Sequence, residues 1–372
     1  MAALIASSAV RTCLGDGEAT FSALLAGTTG IGDLRVPDGA RTSVARGYHV
    51  GGGGEDGLFR ASRWLTGCVR EALAGAGAAA GAPRLVAVVG TGLRELDAVE
   101  RSAAFDAERL HFAAAVREAA PAVAEVVTLS NACSAGGHAL ALAQDLVELG
   151  DADVAVAAAA DSMTVSMLAM IGRVAPEPTE RLRPFDAGRT GTLLGEGAAA
   201  VVVVAERWRD RVRPLARLLA TGLSCDARSE TAPDAGGICR AMRDAFARAG
   251  RSPLAVDLVL AHGTGTALND PLEASLIGET LSADGRRPLV TAIKGAIGHT
   301  SGAAALCSLD VAIRCLRRGV VPAVAGLDSP LAEARDLALV VGRPVRADLR
   351  LAQVNAFGFG GVNAVTLVER AA

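Results

Sequence analysis

Cys133, His262 and His299 are the residues whose types and settings could carry chemistry together. Cys133 lies in Ser130-Asn-Ala-Cys-Ser-Ala-Gly-Gly137, at a predicted strand-to-helix junction, in a stretch free of Asp, Glu, Lys and Arg from Val126 to Gln144. Unsatisfied N–H groups and the dipole at a helix N-terminus stabilise a thiolate, so a lowered thiol pKa is expected there. Ser134, Ala135, Gly136 and Gly137 keep the first turn slim, leaving room for an acyl chain or cofactor arm. His262 follows the apolar run Leu258 to Ala261 directly, and His299 opens a small-residue helix. A thiolate that attacks and two imidazoles that stabilise a developing enolate or oxyanion suit thioester chemistry. A Cys/His/His zinc site is the metal alternative, but no short ligand spacing supports it and no metal is expected. His49, His111 and His138 have no comparable setting.

The elements that would position these side chains come as a unit written twice. Leu85-Val-Ala-Val-Val-Gly-Thr-Gly92 resembles Leu258-Val-Leu-Ala-His-Gly-Thr-Gly265, each a buried parallel strand ending in a glycine turn. Cys133-Ser-Ala-Gly-Gly-His-Ala-Leu140 resembles His299-Thr-Ser-Gly-Ala-Ala-Ala-Leu306, so that a reactive residue would open both helices. Gly195 to Val204 resembles the glycine turn and strand that end at Val368. The shared order predicts two α/β halves, 1–206 and 207–372, meeting near Glu206 to Pro214, with helices between and outside two mostly parallel sheets. Loops are expected at Arg35 to Glu55, including Gly51 to Gly54, and at Arg173 to Arg183.

Composition bounds the partners. With 37 Lys+Arg against 40 Asp+Glu the net charge is −3, and no basic block favours nucleic acid. Hydrophobic residues reach 51% but aromatic ones only 3%, and 43 glycines predict helices packed closely through small side chains. Seven cysteines without paired spacing argue against a disulfide framework and suit a reducing cytoplasm. The opening MAALIASSAVRTCLGDG reads as a strand and turn rather than a signal peptide, and the uncharged run around Cys133 is too polar to cross a bilayer. No GxGxxG opens a helix after a strand, so nicotinamide or flavin binding has no support.

Five segments in register carry a family resemblance: Asn131-Ala-Cys-Ser-Ala-Gly136; Arg183-Pro-Phe-Asp186 with Gly195-Glu-Gly197; His262-Gly-Thr-Gly-Thr266 with Asn269-Asp270 and Glu273; Lys294-Gly-Ala-Ile-Gly-His299; and Asn355-Ala-Phe-Gly-Phe-Gly-Gly361. Together they resemble the β-ketoacyl synthases of the thiolase superfamily, of the type II fatty-acid or polyketide kind. The resemblance implies a pseudo-duplicated thiolase-like fold, with two mainly parallel or mixed sheets in a layered αβαβα arrangement. It implies an acyltransferase in which Cys133 takes an acyl group and His262 and His299 assist decarboxylation of a malonyl thioester on an acyl carrier protein. The N–H groups of Cys133 and Phe359 resemble an oxyanion hole, Phe359 a gating loop, and Thr264, Thr266 and Phe357 the surroundings of a phosphopantetheine arm, with no cofactor bound.

Lys294 corresponds to the family lysine beside the site. The family's usual Glu, nine residues after the second His, is Ser308 here and the next acid is Asp310, so a buried Lys294 is expected to have a depressed pKa or to turn to solvent. Asp270 and Glu273 read as structural. The span from Arg94 to Glu125 is shorter than in an elongating synthase. Met163, Met167 and Met170 could line a tunnel or pack in the core. Alternatives left open are transfer to an amine or alcohol without decarboxylation, and a chain-length-determining partner in a heterodimer. A homodimer or heterodimer is implied. A thiolase proper would need a second cysteine where this chain has Gly358 to Gly361.

Overall fold

The computed structural model describes residues 3–36, 42–51, 57–102, 107–174, 178–283 and 285–371. The sequence writes two five-stranded units. The first runs β1 (Ala3–Arg11), β2 (Leu85–Gly90), β3 (Glu125–Leu129), β4 (Val154–Asp161) and β5 (Gly197–Ala205). The second runs β6 (Ala216–Cys225), β7 (Leu258–Leu260), β8 (Leu289–Thr291), β10 (Leu351–Gly358) and β11 (Val362–Arg370), with β9 (Ala338–Leu339) added at its edge. Spatial order is β1-β5-β4-β2-β3 in one unit and β6-β11-β10-β7-β8-β9 in the other, so every strand of the first unit has a counterpart in the second and only β9 is unmatched. In both units the inner strands pair in parallel and the strands nearest the seam pair antiparallel.

The expected two sheets are not separate. Ala3, Leu4 and Ile5 pair with Leu218, Arg217 and Ala216, joining the units edge to edge into one eleven-stranded mixed sheet. Every residue of β4 and β5 is buried, which explains why these strands read as unbroken apolar runs instead of alternating.

Five layers result. Helix α1 (Arg60–Gly75), with α2 (Ala113–Ala119) against it, covers the outer face of the first unit. Helices α4 (Ala235–Ala249) and α5 (Asn269–Leu281) belong to the second unit, where α4 packs on β6 and β11. Between the units lie α3 (Ala135–Leu149) and α6 (Ala304–Arg318), in contact with each other and with strands of both. Small residues set that approach: a methyl on Gly136 would come 2.7 Å from the Gly302 carbonyl, and one on Gly302 would come 2.7 Å from the Gly92 nitrogen. Each central helix is fifteen residues long and stops at a left-handed glycine, Gly150 or Gly319.

The repeat differs from its sequence reading at one pair. Ala132 and Ser301 share a left-handed φ of 48°, and the central helices begin three residues after each, so the structural counterpart of Cys133 is Gly302, not His299. The second unit inserts an extra helical turn, Lys294–Ile297, after β8, and recurring Gly and Ala let the sequences match three residues out of step. Around the predicted loops, Gly32–Asp33 and Arg46–Gly47 form a short ladder, and a helix runs from Val165 to Val174. Gly52 to Gly54, and 175–177 of the second loop, lie outside the described residues. Between the units, β5 ends at Ala205 and β6 begins at Ala216, with a 3-10 helix at Glu206–Arg211.

Candidate active site

Strand ends deliver the reactive side chains to one cleft between the units. Cys133 sits in the 3-10 turn Ala132–Ser134 that leads into α3. His262 lies two residues beyond β7, and His299 lies just before the turn leading into α6. The His299 backbone is pinned by the crossing segment, with its N–H on the Leu193 carbonyl at 2.9 Å and its carbonyl accepting from Gly195 N at 3.0 Å. All three side chains, with Thr264, Thr266, Phe357 and Phe359, line a cavity of about 440 Å³. A second cavity, of about 460 Å³ between α1 and α2, contains none of them.

The two imidazoles meet edge to face, ring centroids 5.4 Å apart, and Phe357 packs on His262 at 5.5 Å. Their tautomers follow from their neighbours. Ser301 N donates to Nδ1 of His299 at 3.2 Å, so the proton of neutral His299 resides on Nε2. Lys294 Nζ lies 3.3 Å from Nδ1 of His262 and donates to the His262 carbonyl, which places that proton on Nε2 as well while Lys294 is an ammonium. Burial, and then the Lys294 charge, hold both imidazoles well below the usual histidine range, and His299 adds to the effect on His262. Both rings are neutral at pH 7, and each keeps an Nε2–H donor.

Cys133 departs from its sequence expectation. Burial pushes its thiol up to about 11, against which Lys294 and the N–H groups of Phe359 and Cys133 itself pull downward. Desolvation in the closed cleft outweighs the stabilisation that the helix end offers a thiolate. The same two N–H groups thus both lie within hydrogen-bonding reach of the sulfur.

Lys294 does not turn to solvent: it is buried, and burial lowers it to about 8 while Glu273 is the largest charge holding it up. Asp310 does not take the missing acid's place. It accepts from Ser8 and Arg314, and Ser308 is buried. Glu273 is fixed by His262 N at 2.7 Å, Gly263 N at 2.8 Å and Asn355 Nδ2 at 2.9 Å, and Asp270 by Phe185 N at 2.8 Å and Thr264 N at 2.9 Å. Both acids shape the His262–Thr266 turn, as expected of structural residues. Thr264 and Thr266 share a hydroxyl contact of 2.9 Å. Phe359 is 36% exposed rather than packed in the core, on a turn where Gly360 and Gly361 have φ of 81° and 77°. Of the methionines, Met167 lines the cavity and Met163 is core.

Sequence reasoning missed Asp161. Its carboxylate accepts from Thr91 Oγ1 at 2.6 Å, Gly92 N at 2.9 Å, Leu93 N at 2.8 Å and Gly302 N at 2.7 Å, clamping the β2 turn to the α6 turn. Burial nevertheless raises it to about 6. Among the described residues, no group of three His, Cys, Asp or Glu could hold a metal ion, and no helix is long and apolar enough to cross a membrane.

Residues 58–207 match the family description "Beta-ketoacyl synthase, N-terminal domain" and residues 215–328 match "Beta-ketoacyl synthase, C-terminal domain", together well over half of the chain. The chain belongs to the β-ketoacyl synthase family. Among similar proteins, the 3-oxoacyl-[acyl-carrier-protein] synthase 2 of Rhizobium meliloti (strain 1021) is 35% identical over 64% of this chain and 59% of that protein. Nodulation protein E of Rhizobium meliloti is 35% identical over 64% and 60%. This β-ketoacyl synthase family member thus spans about three fifths of the length of the curated relatives it matches. The ishigamide ketosynthase/chain length factor superposes with a TM-score of 0.88 at 27% identity over 100% of this chain and 99% of that one. A β-ketoacyl synthase from Burkholderia phymatum STM815 gives a TM-score of 0.89 at 22% identity over 100% of both chains, a likeness of fold. The fold is thiolase-like.

Within this family site, Lys294 positions His262. If the site decarboxylates a malonyl thioester, as proposed below, replacing it with Met is expected to lower that step about 10- to 100-fold. The ammonium form exists below pH 8, so the wild-type rate should fall as pH rises through 8. A pH profile of CO₂ release should lose that descending limb in Lys294→Met; a limb that persists would assign it to another group.

Proposed function

We propose that the protein is a condensing β-ketoacyl synthase acting on thioesters of an acyl carrier protein, with Cys133, His262 and His299 as its catalytic residues. The observation that carries this reading is the pairing of a buried thiol with two neutral imidazoles, each keeping an Nε2–H, in one cavity. In the first step the Cys133 sulfur attacks the acyl carbonyl. The new S–C bond replaces the carrier's, and the thiol proton leaves on the carrier's sulfur. In the second step a malonyl thioester loses CO₂, and its enolate oxygen accepts from both Nε2–H groups. The enolate carbon attacks the acyl-Cys133 carbonyl, the resulting oxyanion rests on the N–H groups of Cys133 and Phe359, and its collapse expels the Cys133 thiolate, which takes up a proton. The product is a β-ketoacyl chain two carbons longer.

The phosphopantetheine arm would pass Thr264, Thr266 and Phe357, which border the cavity. A second chain of this fold is the expected partner, as a homodimer or as in assemblies named ketosynthase/chain length factor. The test is intact-mass analysis after acylation by acyl thioesters and a chase with malonyl carrier. Loss of the acyl mass with a carrier product two carbons longer is expected. Clearance by an amine or alcohol but not by malonyl carrier would replace condensation with simple acyl transfer.

A further inference from the structure

We propose that the acyl group carried on Cys133 bears a hydrogen-bonding oxygen, a hydroxyl or carbonyl, on the carbons near its thioester, so that oxygenated chains are selected over plain alkanoyl chains. This rests on the acyl-Cys133 reading above and names its substrate class. The observation is a pair of hydroxyls. Thr192 Oγ1 and Ser301 Oγ are both buried without a hydrogen-bond partner, and both residues line the cavity that holds Cys133.

Other hydroxyls at or near the cavity have partners: Thr190 donates to Thr179 at 3.4 Å. Thr264 and Thr266 share a hydrogen bond, and Ser134 donates to the Asn131 carbonyl at 3.0 Å. Ser301 is 2% exposed, and its backbone is held in place by the bond from its N–H to His299 and by its left-handed φ. Its oxygen would touch a methyl placed on Gly92, a position that also lies 3.4 Å from the carbonyl of Ala132, the residue before Cys133, and 3.4 Å from Asp161 Oδ2. Ser301 thus stands two residues after His299 on the wall of the cavity that Cys133 also lines.

Met167, Ile171 and Leu194 make part of the remaining wall apolar, and the polar lining residues Arg189, Asn269 and Asn363 are not bonded to either hydroxyl. An alkanoyl chain would therefore leave both hydroxyls unpaired and shut off from water, whereas an acyl oxygen could satisfy one or both after a rotamer change. Sites that hold buried polar groups for a substrate oxygen discriminate strongly against analogues lacking it.

The experiment measures rates of Cys133 acylation by intact mass, using matched N-acetylcysteamine thioesters: butanoyl against each enantiomer of 3-hydroxybutanoyl, and hexanoyl against each enantiomer of 3-hydroxyhexanoyl. In the wild type one hydroxyacyl enantiomer is expected to react about tenfold faster than its alkanoyl match. Thr192→Val with Ser301→Ala should bring that ratio to within about twofold of one, and Thr192→Ser, which keeps the oxygen, should preserve it. A wild-type ratio at or below one, or a ratio that survives in the double variant, overturns the proposal and leaves the condensing reading intact. If no thioester acylates a protein whose Cys133 still reacts with iodoacetamide, both readings fall. The wild-type ratio decides the matter even if the double variant does not fold.

Discussion

Replacing Cys133 with alanine is expected to abolish the acyl-enzyme and lower condensation by at least about 10⁴-fold, while decarboxylation of a malonyl thioester continues. The reasoning is geometric. Cys133 comes from the first unit, whereas both imidazoles come from the second and take their orientation from Ser301 N and Lys294, neither of which depends on the thiol. An enolate can therefore still form between the two Nε2–H donors but finds no acyl group to attack. Intact mass should show no acyl adduct, and CO₂ release should stay within a few-fold of wild type. Acylation that persists in Cys133→Ala would move the nucleophile elsewhere, and a collapse of CO₂ release would show that the thiol also serves the decarboxylation step.

His299→Ala should give the opposite pattern. Removing one preorganised donor to a developing enolate typically costs about 10²- to 10³-fold, so decarboxylation should fall by that factor while acylation of Cys133 changes little. His299→Gln, which restores an N–H donor, is expected to recover part of the loss. Because both imidazoles are neutral at pH 7, the wild-type rate should not rise or fall with imidazole titration between pH 6.5 and 7.5. The double variant with His262→Ala should lose less than the product of the two single losses, since the donors address one oxygen. CO₂ release and intact mass, run on the same samples, separate the two steps. A His299→Ala protein that decarboxylates normally but fails to acylate would reverse the roles proposed here.

The layered fold was readable because its signals are local. Strands buried on both faces appear as unbroken apolar runs, and glycine turns mark their carboxyl ends. The cleft could be anticipated for the same reason, since Cys133, His262 and His299 each stand at such an end. Three features had no local signal. Asp161 is one acid at the end of an alanine-rich strand, and its donors lie about 70 residues before it and 141 residues after it. The high thiol pKa depends on how completely the cleft excludes water, which no spacing encodes. The unpaired state of Ser301 and Thr192 depends on what is missing around them. The misregistered repeat arose from composition: among so many Gly and Ala residues, a three-residue offset still aligns, and the matching left-handed turns at Ala132 and Ser301 reveal the true register.

The seam strand also has a consequence for how the chain is made. β1 finds its partners only in β5 and β6, which leave the ribosome nearly 200 residues later. At ordinary elongation rates of about 5–20 residues per second, the segment Ala3–Arg11 waits on the order of 10–40 seconds as an apolar strand with no neighbour on either edge. The parallel core β2, β3 and β4 can assemble during that interval, because its members are consecutive in the chain. Of the eleven strands, the one made first is thus the one that joins the two units. Sequestration of the segment Ala3–Arg11 until residue 205 has emerged should govern the yield of folded protein, since an unpaired apolar edge is the surface through which nascent chains aggregate.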